Sequence, residues 1–322
     1  MSERFDESNE LDPKQKSFEE QWEHPKLVKV IGSGKYGLMG EFIPIYDISP
    51  EEPKTEVPFV IGMGWGAIPE SDKKGIKYWT EHGRRVIVAD TPHGISAEKK
   101  EDYPAVEIEK MTALYETLRA SGIYMKEDGT ATGQIDLMGR SEGAIFSTLF
   151  AYFYPKMVRN LVLENPAGLT GKTSKGIFVM RWMRQMKQDM LKEYKEAGVQ
   201  PEDHFSEVLN RNLSKSIESV LAISGTDIRE MLKEIKTNGA GVSLITTTED
   251  RFFPPEKLVG KFEPDPLSIT GKGKTTQELT EEYADRVHIE KGTHNSYFWQ
   301  PEKFAKIIDE DLDSFEANKE KK

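Results

Sequence analysis

The chain has 322 residues, and its 44 Lys and Arg residues against 55 Asp and Glu give a formal net charge of −11. This balance offers no basic surface for nucleic acid, and the lack of Cys excludes disulfides, thiol catalysis and thiolate-bound metals. No apolar run approaches the roughly 18 residues that a membrane-spanning helix needs. The acidic start lacks the apolar stretch of a secretion signal, so we expect a cytoplasmic protein.

The predicted elements begin after a polar tail and alternate between strands and helices. Most strand candidates are short apolar runs bounded by Gly, Pro or charged residues, which is typical of strands buried on both faces. Apolar residues spaced three and four apart predict helices over 111–118 and 304–315. The strand candidates are residues 26–31, 41–48, 58–61, 85–90, 134–138, 160–164, 242–247 and 286–290.

This alternation predicts an α/β fold. We expect a mostly parallel sheet of eight strands with helices on both faces, and the first two strands forming an antiparallel hairpin at one edge. Residues 169–240 interrupt the alternation, because their pattern is almost wholly helical. They predict an inserted helical cap, with a long helical crossover as the plainer alternative. The expected organisation is a tail over 1–24, a core over 25–168 and 241–322, and the cap over 169–240.

A glycine-rich loop follows the third strand. Gly62-Met-Gly-Trp-Gly-Ala precedes a helical segment, and the next strand ends in Asp90, which resembles the ribose-binding acid of a dinucleotide fingerprint. In that fingerprint, however, the helix begins within the glycines, whereas Pro69-Glu-Ser here reads as a helix start beyond the loop. A dinucleotide-binding oxidoreductase therefore remains an alternative.

The motif Gly139-Arg-Ser-Glu-Gly lies between a predicted strand and a predicted buried helix. This strand–turn–helix context is that of a nucleophile elbow, in which the serine projects beyond the sheet. The hydroxyl of Ser141 needs a neighbouring base to act as a nucleophile near neutral pH. In this arrangement the acid and the histidine come later in the chain, each just after a strand. Asp250 follows the strand at 242–247, and His294 follows the strand at 286–290.

Both partners of Ser141 have competitors. Glu249 is adjacent to Asp250, and we favour Asp250 for its position in the loop after the strand. His93 lies in a turn that could approach the same edge of the sheet and is the alternative base.

Together these motifs resemble the α/β-hydrolase family, in the branch with a helical cap between strands six and seven. The segment Asp90-Thr-Pro-His-Gly-Ile-Ser is similar to the family's D-x-P-G-H-G-x-S turn, and Leu163-Glu-Asn-Pro-Ala-Gly precedes the cap as in the family. The resemblance covers roughly residues 26–316. It departs at Ile61, where the family often has the His of an H-G motif, and at the turn after Asp90, which is one residue short.

The resemblance implies a serine hydrolase that cleaves a carboxylic ester or related acyl compound through an acyl-enzyme. Ser141 would be the nucleophile, His294 the general base and then acid, and Asp250 the group that orients His294. The backbone N–H groups of Met63 and Glu142 would form the oxyanion hole. The same triad would serve an acyltransferase or a C–C bond hydrolase, and a hydrolase-like binding protein without turnover is a further alternative.

Candidate substrate contacts are Trp65 in the glycine-rich loop, and Phe178 and Trp182 in a stripe of Met and aromatic residues. Such stripes suit adaptable binding, although plain packing is the commoner cause. No cluster has metal-ligand spacing, and we expect neither a metal nor another cofactor. The expected partner is a small acyl substrate, with no nucleic acid and no membrane segment.

Overall fold

The computed structural model describes residues 16–29, 42–64, 67, 69–89, 103–170, 175–188, 223, 226–259 and 276–319. Among these, no helix is both long and apolar enough to cross a membrane. The strands are β1 (Lys26–Lys29), β2 (Phe42–Ile48), β3 (Phe59–Gly62), β4 (Val86–Ala89), β5 (Ile135–Arg140), β6 (Val158–Glu164), β7 (Gly241–Thr247) and β8 (Arg286–Glu290). The helices are α1 (Phe18–Glu23), α2 (Pro69–Glu81), α3 (Tyr103–Ala120), α4 (Gly143–Phe153), α5 (Lys175–Gln188), α6 (Arg229–Thr237), α7 (Glu256–Val259), α8 (Thr276–Glu282), α9 (Ser296–Trp299) and α10 (Pro301–Lys319).

All eight strands form one open sheet in the order β1-β2-β4-β3-β5-β6-β7-β8. The β1–β2 and β2–β4 pairs are antiparallel, and the other pairs from β4 to β8 are parallel. The sequence-based prediction of a mostly parallel sheet of eight strands is confirmed, with strand ends that differ by one or two residues. The antiparallel β1–β2 pair lies at one edge, as expected, while residues 30–41 between the two strands lie outside the described part.

The strands send alternate side chains into two separate apolar cores, one on each face of the sheet. In β5, for example, Leu137 packs in one core and Met138 in the other. The first core contains residues of α3, α4 and α6, and the second contains residues of α1, α2, α9 and α10. The predicted helices on both faces are therefore present. This double burial explains why the strands read as continuous apolar runs.

Helix α1 lies within the segment predicted as a polar tail. Ser17 and Glu20 form a capping box at its start, and the ring of Trp22 stacks on that of Tyr46 in β2, with centroids 4.4 Å apart. A helix of six residues is too short to produce a detectable apolar period.

Helices α5 and α6 lie within the segment predicted as a cap. Leu232 and Ile235 of α6 are buried where this helix packs against α4 and β7. Residues 171–174 and 189–222 lie outside the described part of the chain. The cap over 169–240 therefore stays a prediction.

The strand order changes direction at β3. The next strand in the chain, β4, lies on one side of β3, and the strand after it, β5, lies on the other side. In open α/β sheets, binding sites lie at the carboxyl ends of the strands next to such a switch point. The ends of β3 and β5 lie at this switch point, and β7 and β8 end at the same edge of the sheet because these strands are all parallel.

Candidate active site

Ser141 lies in a sharp turn between β5 and α4. Its φ angle of 52° is unusual for a residue other than glycine, and marks local backbone strain. The flanking glycines are required by close packing, since a Cβ on Gly139 would lie 2.7 Å from the Cα of Ala144. The turn directs the serine away from the strand, at the carboxyl edge of the sheet.

His294 and Asp250 reach Ser141 from the loops after β8 and β7. His294 Nε2 is 3.0 Å from Ser141 Oγ, and His294 Nδ1 is 2.7 Å from Asp250 Oδ2. A carboxylate beside Nδ1 selects the tautomer in which Nδ1 carries the proton and Nε2 can accept one from serine. The three side chains thus form one hydrogen-bonded sequence in the order Ser, His, Asp. We call these three residues the triad.

The triad acid is held firmly in its own loop. Asp250 Oδ1 accepts hydrogen bonds from the backbone N–H groups of Phe252 (2.8 Å) and Phe253 (3.0 Å), and both rings pack on the imidazole of His294. Only 2% of Asp250 and 7% of His294 are exposed, so their interaction is weakly screened by solvent. The competing Glu249 is exposed.

A buried charged group lies directly behind the nucleophile. Arg140 Nε donates to Glu164 Oε2 at 2.7 Å, and Arg140 Nη1 donates to Asp72 Oδ1 at 2.6 Å. The guanidinium carbon lies 3.5 Å from the ring centroid of Tyr297. We call Arg140, Asp72 and Glu164 the Arg140 cluster. It joins β5, β6 and α2, and Arg140 is covalently next to Ser141.

Burial dominates the acid–base behaviour of the acidic groups around Arg140. Desolvation raises the pKa of Glu164 to about 7, although Arg140 and His294 favour its charged form. Burial likewise raises the pKa of Asp72 above its ordinary range and that of Tyr297 far above it. A carboxyl group beside His294 therefore changes charge near neutral pH.

Asn165 connects the cluster to the histidine loop. Its Nδ2 donates to Glu164 Oε1 at 2.8 Å and to the backbone carbonyl oxygen of His294 at 3.0 Å. Its Oδ1 accepts from the backbone N–H of Thr247 at 3.0 Å, at the end of β7. Asn165 thus links the ends of three neighbouring strands.

A second ion pair lies on the other side of the nucleophile. Lys110 of α3 is 2.8 Å from Glu142 Oε1 and 3.3 Å from Glu107 Oε1, and all three residues are buried. Burial opposes the charge of Lys110, but the two carboxylates outweigh it and raise the pKa of this amine. The positive charge of Lys110 offsets the negative charge of the Glu142 carboxylate, which follows Ser141 in the chain.

The glycine-rich loop after β3 packs closely against the nucleophile turn. A Cβ on Gly64 would lie 3.2 Å from Ser141 Cβ, and one on Gly143 would lie 2.6 Å from the carbonyl oxygen of Met63. Met63 itself is buried. These close contacts account for Gly64 and Gly143 without a bound nucleotide. The backbones of Met63 and Glu142 thus flank Ser141, as the oxyanion-hole prediction requires, but that role stays a prediction.

Several predicted site residues cannot be placed against the triad. Trp65 and the alternative base His93 lie outside the described residues. Phe178 and Trp182 belong to α5, but their side chains are outside the described part. The same helix does reach the acid loop, because Gln185 Oε1 accepts a hydrogen bond from the backbone N–H of Arg251 at 3.1 Å.

The sequence reasoning missed the Arg140 cluster and Asn165. One signal was present, since Arg140 and Glu164 are charged residues that each end an apolar strand. In the sheet they occupy paired positions on β5 and β6. Within the described ranges, no three His, Asp or Glu side chains are grouped so that they could hold a metal ion.

Comparisons with known proteins identify the fold. No protein-family model matches the sequence, and a search of curated proteins finds no match. Among solved structures, an esterase from Exiguobacterium antarcticum matches with a TM-score of 0.60 and 16% identity, over 91% of this chain and 100% of the esterase. A bromoperoxidase from Bacillus anthracis matches at 0.59 and 16% identity, over 90% and 100%. An α/β-hydrolase fold protein from Chitinophaga pinensis matches at 0.59 and 15% identity, over 90% and 97%. The chain therefore has the α/β-hydrolase fold.

Proposed function

We propose that this protein is a serine hydrolase that cleaves a carboxylic ester or a related acyl compound through an acyl-enzyme. The observation that carries the proposal is the unbroken hydrogen-bonded sequence from Ser141 Oγ through His294 to Asp250. A fold alone does not specify an activity, whereas this arrangement of side chains supports activation of the serine. The esterase named above lends support to the ester as substrate class.

In the first half of the reaction, Ser141 Oγ attacks the carbonyl carbon of the substrate. His294 Nε2 takes the hydroxyl proton as the new C–O bond forms, and the carbonyl π electrons move to the oxygen. Asp250 stabilises the imidazolium that results. Collapse of the tetrahedral intermediate breaks the bond to the leaving alcohol, which receives the proton from His294. The acyl group remains on Ser141.

In the second half, water replaces the leaving alcohol. His294 Nε2 accepts a proton from this water as its oxygen attacks the acyl carbon. The second tetrahedral intermediate then expels Ser141 Oγ, which regains its proton from His294. The products are a carboxylic acid and the free enzyme.

The backbone N–H groups of Met63 and Glu142 are the proposed oxyanion donors. Each such donor is worth about 3–4 kcal/mol in the transition state. A carboxylate on one of the donor residues would repel the oxyanion, and the Lys110 contact at 2.8 Å offsets that repulsion. Trp65, Phe178 and Trp182 remain the proposed substrate contacts.

The test is hydrolysis of p-nitrophenyl esters with acyl chains from acetate to laurate, by wild type and Ser141→Ala. We expect wild-type turnover, and a loss of about 10⁴-fold or more in kcat for the variant. Labelling with a fluorophosphonate, which reacts with activated serines, should occur in wild type only. The variant should keep the wild-type circular dichroism spectrum. Wild-type protein that neither turns over an ester nor accepts the label would refute the proposal.

A further inference from the structure

A closed ring of contacts joins the nucleophile to its base. From Ser141 the chain leads back one residue to Arg140, whose Nε donates to Glu164. Glu164 accepts from Asn165, and the same amide nitrogen donates to the backbone carbonyl oxygen of His294. The ring closes through the 3.0 Å contact between His294 Nε2 and Ser141 Oγ. The ring thus includes the hydrogen bond between Ser141 and His294, along which the proton moves in the proposed reaction.

We propose that Arg140, Glu164 and Asn165 form a positioning unit, which holds the His294 loop at reacting distance from Ser141. This inference rests on the proposed function. The three residues act through the backbone and the imidazole of His294, so they are positioning residues.

Backbone contacts support the same role. The N–H of Ser141 donates to the carbonyl oxygen of Glu164, and the N–H of Ala167 donates to that of Ser141, each at 3.0 Å. The nucleophile turn is therefore tied to the end of β6 in both directions. Backbone hydrogen bonds alone therefore hold Ser141 close to Asn165, and the side chains of the ring add to them.

Asn165 is suited to the junction by its conformation and its chemistry. Its φ of 42° lies in the left-handed region, which asparagine tolerates better than most residues. Its amide offers both a donor and an acceptor, and here it uses both. Thr247, whose N–H bonds to this amide, also donates its hydroxyl to the carbonyl oxygen of Thr293 at 2.9 Å. The residue before His294 is thereby tied to β7 as well.

The unit is buried in a way that favours a fixed geometry. Glu164 and Asn165 have no exposed surface, and Arg140 is 3% exposed. Arg140 and Asn165 each donate to Glu164, and an alternative arrangement would leave these buried polar groups without those partners. A fixed separation of base and nucleophile matters because small displacements of reacting groups reduce rates strongly.

The test variant is Asn165→Gly. Glycine accepts the left-handed φ without strain, so this change removes the amide and leaves the backbone conformation accessible. Asn165→Asp is the second variant. It keeps the shape and the acceptor for Thr247, but places an oxygen against Glu164 and the His294 carbonyl. Circular dichroism establishes that each variant is folded.

The matched control is Asp136→Asn. Asp136 accepts from Arg159 Nε at 2.9 Å, and both residues are buried at the opposite ends of the same two strands, β5 and β6. The substitution weakens a buried pair of arginine and carboxylate, like that of Arg140 and Glu164, but at the end of the strands far from the triad.

Two measurements decide the question. In steady-state kinetics, we expect both Asn165 variants to lower kcat 10- to 100-fold with KM changed less than threefold, whereas Asp136→Asn leaves both unchanged. In hydrogen exchange, we expect faster exchange of peptides covering residues 291–296 in the Asn165 variants only. The inference would be overturned if the loop exchanged as slowly in Asn165→Gly as in wild type. It would also be overturned if Asp136→Asn lost as much kcat as the Asn165 variants. The exchange result needs no turnover, so it stands even where the proposed hydrolase activity fails.

Discussion

Two clusters within the described part of the chain combine Ser, His and Asp, and they differ in the order of their hydrogen bonds. In the triad, His294 lies between Ser141 and Asp250. A second group, which we call the Asp311 cluster, consists of Ser243 in β7, His288 and Arg286 in β8, and Asp311 in α10. There the carboxylate lies in the centre. Asp311 accepts from Ser243 Oγ at 2.5 Å, His288 Nε2 at 2.8 Å and Arg286 Nη1 at 2.9 Å.

The order of bonds decides which serine can be activated. Ser141 faces an imidazole nitrogen that can accept its proton, whereas Ser243 faces a carboxylate. Burial alone would raise the pKa of Asp311, but the bonds from His288, Ser243 and Arg286 outweigh it and hold that pKa below its ordinary value. Such a carboxylate is a weak base. Ser243 also lies within a regular strand, without the strained turn that projects Ser141. The same three residue types are therefore arranged for proton transfer from serine in one place, as the proposed function requires, and they attach α10 to the sheet in the other.

The largest expected effect comes from replacing the two aspartates. Asp250→Asn should lower kcat about 10⁴-fold, because an amide donor facing Nδ1 moves the imidazole proton to Nε2, where it blocks acceptance from Ser141. Asp311→Asn should leave kcat within twofold of wild type but reduce the free energy of unfolding by about 2–3 kcal/mol, since bonds to a charged acceptor weaken. Ester turnover and urea unfolding of both variants measure this contrast. Equal losses of kcat would mean that the two clusters do not differ in function.

The second expected effect concerns the charge behind the triad. Below pH 7 Glu164 is largely protonated, and Gln is a close mimic of that form, so wild type and Glu164→Gln should have similar kcat at pH 6. Above pH 7 the carboxylate is ionised near His294 and favours the imidazolium, whereas Arg140, Asp72 and Asp250 are present in both proteins and cancel in the comparison. We expect wild type to be about fivefold faster than the variant at pH 8, the effect of roughly 1 kcal/mol. A kcat ratio that is independent of pH would contradict this reasoning.

Stability should change in the opposite direction over the same pH range. The ordinary pKa of a glutamate is 4.5, and burial raises that of Glu164 to about 7 in the folded protein. Between these values the unfolded chain binds fewer protons than the folded one, so stability falls as pH rises. Relative to Glu164→Gln, wild type should lose about 3 kcal/mol of unfolding free energy between pH 4.5 and pH 8. Urea unfolding at a series of pH values measures the difference, to which Asp72 contributes little because both proteins contain it.

The sequence predicted the sheet because its strands are buried on both faces and hence read as apolar runs. It also indicated where Ser141, Asp250 and His294 lie, since each follows such a run and the carboxyl ends of parallel strands share one edge. Their roles stay predictions. The Arg140–Glu164 pair could not be foreseen in this way. Its formation depends on the register of β5 against β6, which no local pattern encodes.

The smallest expected effect is that of Ser243→Ala, the counterpart of Ser141→Ala. The change removes one buried hydrogen bond, but Asp311 keeps its bonds from His288 and Arg286. We therefore expect a loss of about 1 kcal/mol in the free energy of unfolding, with kcat and fluorophosphonate labelling unchanged. Urea unfolding and the labelling assay measure the two quantities. A large drop in labelling would mean that Ser243 contributes to reactivity, and the order of hydrogen bonds would then not be what separates the two serines.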